Sequence, residues 1–251
     1  MDSQTVLILA GAIVAGFVQG LSGFGFGLVA MSFWAWTLAP QLAAAMVVTG
    51  ALCGQLVAAV AVRRRFELRD LAPFLAGGLL GIPIGLLILP LLDVQLFKAG
   101  LGLLLLFWCP AMLMSQRLPR ITAGGRLGDG LAGGLGGVMG AMGGFSGVLP
   151  TLWCSLRGYK KDTQRAIIQN FNLAILSVTW LSYVATGVVS FATLPMLALV
   201  IPAMLIPTLI GARVYIGISE ATFRQITLGL LTASGLAMLL SALRHGLAGA
   251  G

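Results

Sequence analysis

Acidic side chains are scarce in this chain. Only seven Asp and Glu occur in 251 residues, Asp2, Glu67, Asp70, Asp93, Asp129, Asp162 and Glu220, and all fall in connections or at the ends of apolar runs. Binding Na⁺ or relaying a proton inside a membrane calls for a carboxylate placed there. None is visible, which argues against a carboxylate-based cation pump. Histidine is scarcer: His245 stands alone near the end of the last run and receives no role. One terminal His and no intramembrane acid leave nothing to form an acid–base pair, so an intramembrane enzyme is disfavoured. The three cysteines, Cys53, Cys109 and Cys154, have no paired spacing. Neither a disulfide framework nor a zinc site is supported; they read as passive core thiols, and no cofactor is expected. No Lys or Arg precedes the apolar run at Val6. The basic start of a secretory signal is therefore missing, and the first run reads as a retained span.

What is abundant is apolar. Hydrophobic residues make up 59% and charged residues 9%, with a mean hydropathy of +1.02. That composition belongs to an integral, all-α polytopic membrane protein. The net charge of +8 does not imply nucleic acid, because the basic residues lie in short connections between runs and report orientation instead.

Two glycine-rich breaks organise the runs. The first is GFVQGLSGFGFG at 16–27, the second GGVMGAMGGFSG at 136–147. At an offset of 120 residues Gly16, Gly20, Gly23 and Gly27 fall on Gly136, Gly140, Gly143 and Gly147. So many glycines weaken continuous helix and permit left-handed turns and close backbone approach. Glycine-interrupted segments at matching places in two halves point to a transporter's binding site. The stretch 5–38 is too short for two full spans at roughly 20 residues each, so it is a pair of short helices or a re-entrant hairpin. Spans follow at 41–62, 71–90 and 99–115, and after the second broken stretch at 166–186, 194–212 and 225–243.

The expected organisation is a first transmembrane repeat over 1–115, a polar cytoplasmic linker over 116–128 and a second repeat over 129–251. Placing the loops rich in Lys and Arg inside requires about five membrane segments per half, with glycine-broken or re-entrant helices in the first part of each. An odd number inverts the second repeat relative to the first. Both termini are then extracytoplasmic.

Without an internal carboxylate, an anion path fits best: backbone N–H groups at helix starts hold small anions, helped by the helix dipole. Gly23, Gly25, Gly143 and Gly144 would allow the approach. Gln19, Ser22 and Ser146 would add donors. Thr49, Gln169, Asn170 and Asn172 lie on the spans that follow, and Phe24, Phe26 and Phe145 would wall or gate the path. The plainer alternatives are a glycine that serves only as a packing notch, an amide that serves only as interhelical glue, and an Arg213 that merely anchors a span end.

These residues resemble the sulfite exporter TauE/SafE family, also called the toluene sulfonate uptake permease family. The resemblance rests on QGLSGFGFG at 19–27, its return as GGFSG at 143–147, the Pro-rich span before GAR at 211–213, and the E-x-x-F-R pattern at 220–224. It covers nearly the whole chain and implies a permease for sulfite, sulfoacetate, related sulfonates, or in some members thiosulfate or carboxylates, in a bacterial inner membrane. Met142 and Gly144 stand where Ser22 and Phe24 stand in the first break, so the halves do not supply identical ligands. The reading is a multi-pass permease exporting a small sulfur-containing or organic anion by alternating access; a channel-like pore, or uptake of a carboxylate or thiosulfate, is the alternative. The expected partners are a small anion and membrane lipid, with no nucleic acid; a homo-oligomer is left open.

Overall fold

The computed structural model describes residues 3–22, 25–61, 68–115, 120–121, 123–214 and 220–248. Among them all regular structure is helical, as expected where no water is present to satisfy backbone groups. The first half contains α1 (Ser3–Ser22), α2 (Phe26–Trp34), α3 (Pro40–Ala61), α4 (Leu68–Ile88) and α5 (Val94–Met114). The second contains α6 (Gly125–Gly143), α7 (Val148–Leu156), α8 (Lys161–Ala185), α9 (Leu194–Val214) and α10 (Glu220–Ala248). Six of these, α1, α3, α4, α5, α8 and α9, are long and apolar enough to cross a membrane. Exposed Leu80, Leu87, Phe107, Leu181 and Leu230 form the kind of surface that only lipid tolerates. The last helix in each half is longer than its apolar run, because Asp93 caps α5 by accepting a hydrogen bond from Leu96 N at 2.7 Å, and α10 runs on to Ala248.

Each half opens with a helical hairpin. At 1.5 Å per residue α1 is about 30 Å long and α2 only about 13 Å. The short helix folds back along the long one: Trp34 Nε1 donates to Ile8 O at 3.1 Å. The second half repeats the arrangement, with Trp153 Nε1 on α7 donating to Asp129 Oδ1 on α6 at 2.8 Å. Both broken stretches are thus one full-length helix and one half-length return, which brings the chain back toward the side where it began.

Glycine then decides which helices touch. A Cβ on Gly77, Gly81 or Gly85 of α4 would collide with the carbonyl oxygens of Gly130, Gly134 and Val138 on α6, in that order. The two helices therefore run parallel, backbone against backbone, at a spacing of four residues. In lipid no hydrophobic force drives helices together, so such small-residue stripes and the van der Waals contact they allow dominate the pairing. The pair α1 and α9 is also parallel: Gly16 abuts Met204, Gly211 abuts Phe17, and Thr208 Oγ1 donates to Gly16 O at 3.0 Å. By contrast α5 and α10 are antiparallel, since Gly102 meets Leu239, Leu105 meets Gly235, and Cys109 pairs with Thr232. At the centre α3 and α8 are joined by Trp180 Nε1 donating to Thr49 Oγ1 at 3.2 Å. The pairings recur with the halves exchanged: α1 on α9 and α6 on α4, α3 on α9 and α8 on α4.

Candidate functional site at the meeting of the two breaks

The first break is held by one amide. Gln19 is buried near the end of α1; its Oε1 accepts from Phe26 N, the first residue of α2, at 3.2 Å, and its Nε2 donates to Ala51 O on α3 at 3.5 Å. Room for the amide is left by Gly54, where a Cβ would stand 2.7 Å from Gln19 Nε2. Gly25 turns the chain with φ 97°, a conformation open mainly to glycine. The first turn of α2 then offers N–H groups that no earlier turn satisfies.

The second break is held by an amide from a different helix. Gly144, with φ 74°, ends α6 and donates to Gly140 O at 2.8 Å. Ser146 Oγ donates to Asn172 Oδ1 of α8 at 2.9 Å, and Gly147 lies flat against the same amide.

The two breaks touch. A Cβ on Gly27 would stand 2.9 Å from Gly144 O and 3.3 Å from the Phe145 ring. Both breaks rest on the middle of α3, Gly144 against Val47 and Phe26 against Gly50, while Asn172 lies midway along α8. Phe145 also walls an apolar cavity of about 240 Å³ with Met139, Met142, Phe97, Leu101 and Leu104.

The structure thus brings Gln19, Gly25, Gly143, Gly144, Phe145, Ser146 and Asn172 to one junction. Thr49 lies on α3 beside it, its hydroxyl donating to Ala45 O at 2.7 Å and accepting from Trp180. Gln169 is buried three residues before Asn172, hence on the same face of α8. Asn170 is half-buried and, at roughly 100° per residue, is turned well away from Asn172. Gly23, Phe24 and the side chains of Ser22, Arg213, Arg224 and His245 lie outside the described residues. Thr179 was not foreseen: it is fully buried, and its hydroxyl has no hydrogen-bond partner among the described residues. Its signal was present in the spacing, since 169, 172, 176, 179 and 183 share one helical face.

A second polar cluster lies at the far end of the second hairpin. Asp129 is only 3% exposed and receives Trp153 Nε1, Tyr159 OH at 3.3 Å and the Arg157 guanidinium at 3.8 Å. Burial, and then the Asp129 carboxylate, push the Tyr159 phenol above its ordinary value, which keeps it a donor. Asp129 thus stands at a helix end as expected, but its burial was not anticipated. Asp129→Ala removes the acceptor of the partly buried Trp153 indole N–H and should lower unfolding free energy by about 1 kcal/mol, whereas Asp129→Asn, which keeps an acceptor, should lower it less. Thermal unfolding in detergent reads the difference.

The model of one protein family, described as Sulfite exporter TauE/SafE, matches residues 7–238. The chain belongs to the TauE/SafE family. No curated protein and no solved structure matches it significantly. TauE/SafE membership makes the chain a membrane transporter of the sulfite and sulfonate type, in keeping with the apolar helices that fit it for multi-pass insertion. In this TauE/SafE chain the family match spans both hairpins and their meeting point.

Proposed function

We propose that the chain exports a small anion, sulfite or a sulfonate, across a bacterial inner membrane by alternating access, with the anion bound where the two breaks meet. The contact of Gly27 with Gly144 against the middle of α3 carries this reading. Backbone can approach an anion closely there, the first-turn N–H groups of α2 and the dipole behind them favour negative charge, and Gln19, Ser146 and Asn172 stand beside it. Gln169, Thr49 and the glycines Gly25, Gly143 and Gly144 complete the candidate set, together with Ser22, Gly23, Phe24, Phe145 and Asn170.

The halves are proposed to be inverted copies, 1–115 and 129–251 joined by 116–128. Helix directions support this: α5 and its counterpart α10 are antiparallel, while α4 with α6, and α1 with α9, are parallel. Those directions agree with an orientation in which basic loops are cytoplasmic, α4 and α6 both start inside, α1 and α9 both start outside, and the termini are extracytoplasmic. An inside-negative potential contributes about 2.3 kcal/mol per charge per 100 mV to outward anion movement, which favours export.

Radiolabelled sulfite flux in proteoliposomes tests the proposal. Saturable flux with counterflow is expected. Gln19→Leu, which leaves Phe26 N–H without its acceptor, should reduce flux about tenfold, since an unmade buried hydrogen bond of about 1–3 kcal/mol would disturb the start of α2. Flux without saturation or counterflow would instead mark a channel-like pore, and unchanged flux in Gln19→Leu would remove that residue from the site.

A further inference from the structure

A hydroxyl inside a membrane helix has a ready acceptor, the carbonyl one turn back along the same helix. Thr49, Thr151, Thr208 and Thr232 all use it, and so do Ser177 and Ser182 on α8. Thr179 stands between those two serines and does not: its Oγ1 is buried and makes no hydrogen bond among the described residues. At 0% exposure the side chain has no free surface, so no water fits against it either. An unmade hydrogen bond of this kind raises the free energy of the state that strands it. Valine has nearly the same shape and would avoid that cost.

The neighbours of Thr179 lie along the end of α6. One turn before it, Ile175 fills the notches at Gly78 and Gly140; one turn after it, Tyr183 OH donates to Ala141 O at 2.6 Å. The hydroxyl is thus set between two contacts with the last part of α6, the helix that ends in Gly144 at the junction. Both are side-chain contacts, which can part without lifting backbone off backbone. At 1.5 Å per residue Thr179 stands about 10 Å beyond Asn172 along α8. In the proposed orientation α8 runs outward, so Thr179 lies on the extracytoplasmic side of the Ser146–Asn172 pair.

We propose that Thr179 is a conformational switch in the seam between α6 and α8: its hydroxyl is unpaired while the seam is shut, and gains water as its partner when the seam parts toward the extracytoplasmic side. A hydrogen bond made only in the parted state favours that state about tenfold. In the permease reading above, on which this place in the cycle rests, parting opens the junction outward and lets the anion leave.

Stability, accessibility and flux together test it. Thr179→Val should raise the melting temperature in detergent by about 3 °C, because the shut state loses its stranded group. For accessibility, Leu176→Cys, one turn before Thr179 and buried in the shut state, is placed in a protein whose Cys53, Cys109 and Cys154 are replaced by alanine. Labelling by a membrane-impermeant maleimide in right-side-out vesicles should be about tenfold slower with Thr179→Val and within twofold of the parent with Thr179→Ser. If Leu176→Cys does not survive purification, Ile175→Cys replaces it. Sulfite flux in Thr179→Val should fall at least fivefold with the half-saturating concentration within twofold, since the junction itself is untouched. A lower melting temperature in Thr179→Val, or labelling as fast as in the parent, overturns the switch. Slowed labelling in a protein whose vesicles carry no sulfite or sulfonate would overturn the permease reading and leave the switch standing.

Discussion

Leucine at position 81 should leave no correctly folded protein in the membrane. Gly81 packs its α-carbon against the Gly134 carbonyl, and a Cβ there would collide with that oxygen and lie 2.9 Å from Val138 N. Both obstacles are backbone, held by their own helix, so neither can swing aside as a side chain would. Overpacking of an ordinary core costs about 1–3 kcal/mol; here the whole α4–α6 stripe must separate, because Gly77, Gly85, Gly133 and Gly137 make the same close approach. Size-exclusion profiles of detergent extracts should show the monodisperse peak lost. Gly229→Ala is the control: nothing lies within 4 Å of that position, and the peak should persist. A folded Gly81→Leu protein with an unchanged melting temperature would mean that α4 and α6 do not meet as described.

Valine at Gly144 should abolish transport more completely than any polar substitution nearby. Two effects combine. The backbone there has φ 74°, where a β-branched residue is strained by about 1–3 kcal/mol, and its Cβ would stand 2.6 Å from Val47 Cγ1 on α3. Relief of either would push Gly144 off Gly27 and open the contact between the breaks. Flux should fall more than twentyfold. Gly144→Asn, whose side chain tolerates left-handed backbone better, should fold more stably than Gly144→Val and still transport poorly, because the crowding of Val47 remains. Wild-type flux in Gly144→Val would show that the junction does not carry the anion.

Much of this was legible in the chain. Apolar runs named the spans at 41–62, 71–90, 99–115, 166–186 and 194–212, while the run at 225–243 lies in a helix whose apolar stretch is shorter; clustered glycines named the places where helix stops, because both are local properties of the residues involved. The register across the breaks was less clear. Aligning the glycines sets the halves 120 apart, yet the left-handed turns, Gly25 and Gly144, and the indoles that tie the short helices back, Trp34 and Trp153, each differ by 119. A glycine serving as a notch and a glycine serving as a turn look alike in sequence; only the backbone tells them apart. Gln19 and Asn172 were visible as amides among apolar neighbours, but not that one would come from α1 and the other from α8. Burial of Asp129 was hidden for a different reason. Its partners are 24 and 30 residues distant and reach it only after α7 doubles back. Lys98 read as a charge in a connection for the same reason, since Trp36 reaches it from the turn after α2.

The glycine stripes also divide the molecule differently from its sequence. Backbone-tight seams join α4 to α6, α1 to α9 and α5 to α10, each between the first half and the second, whereas α3 packs on α8 through side chains, with the Trp180 indole donating to the Thr49 hydroxyl. Shearing an interlocked backbone seam requires lifting every notch at once, a constraint that the side-chain contacts between α3 and α8 do not impose. Each seam ties a helix of the first half to a helix of the second, so the first half cannot move as one body against the second without breaking them.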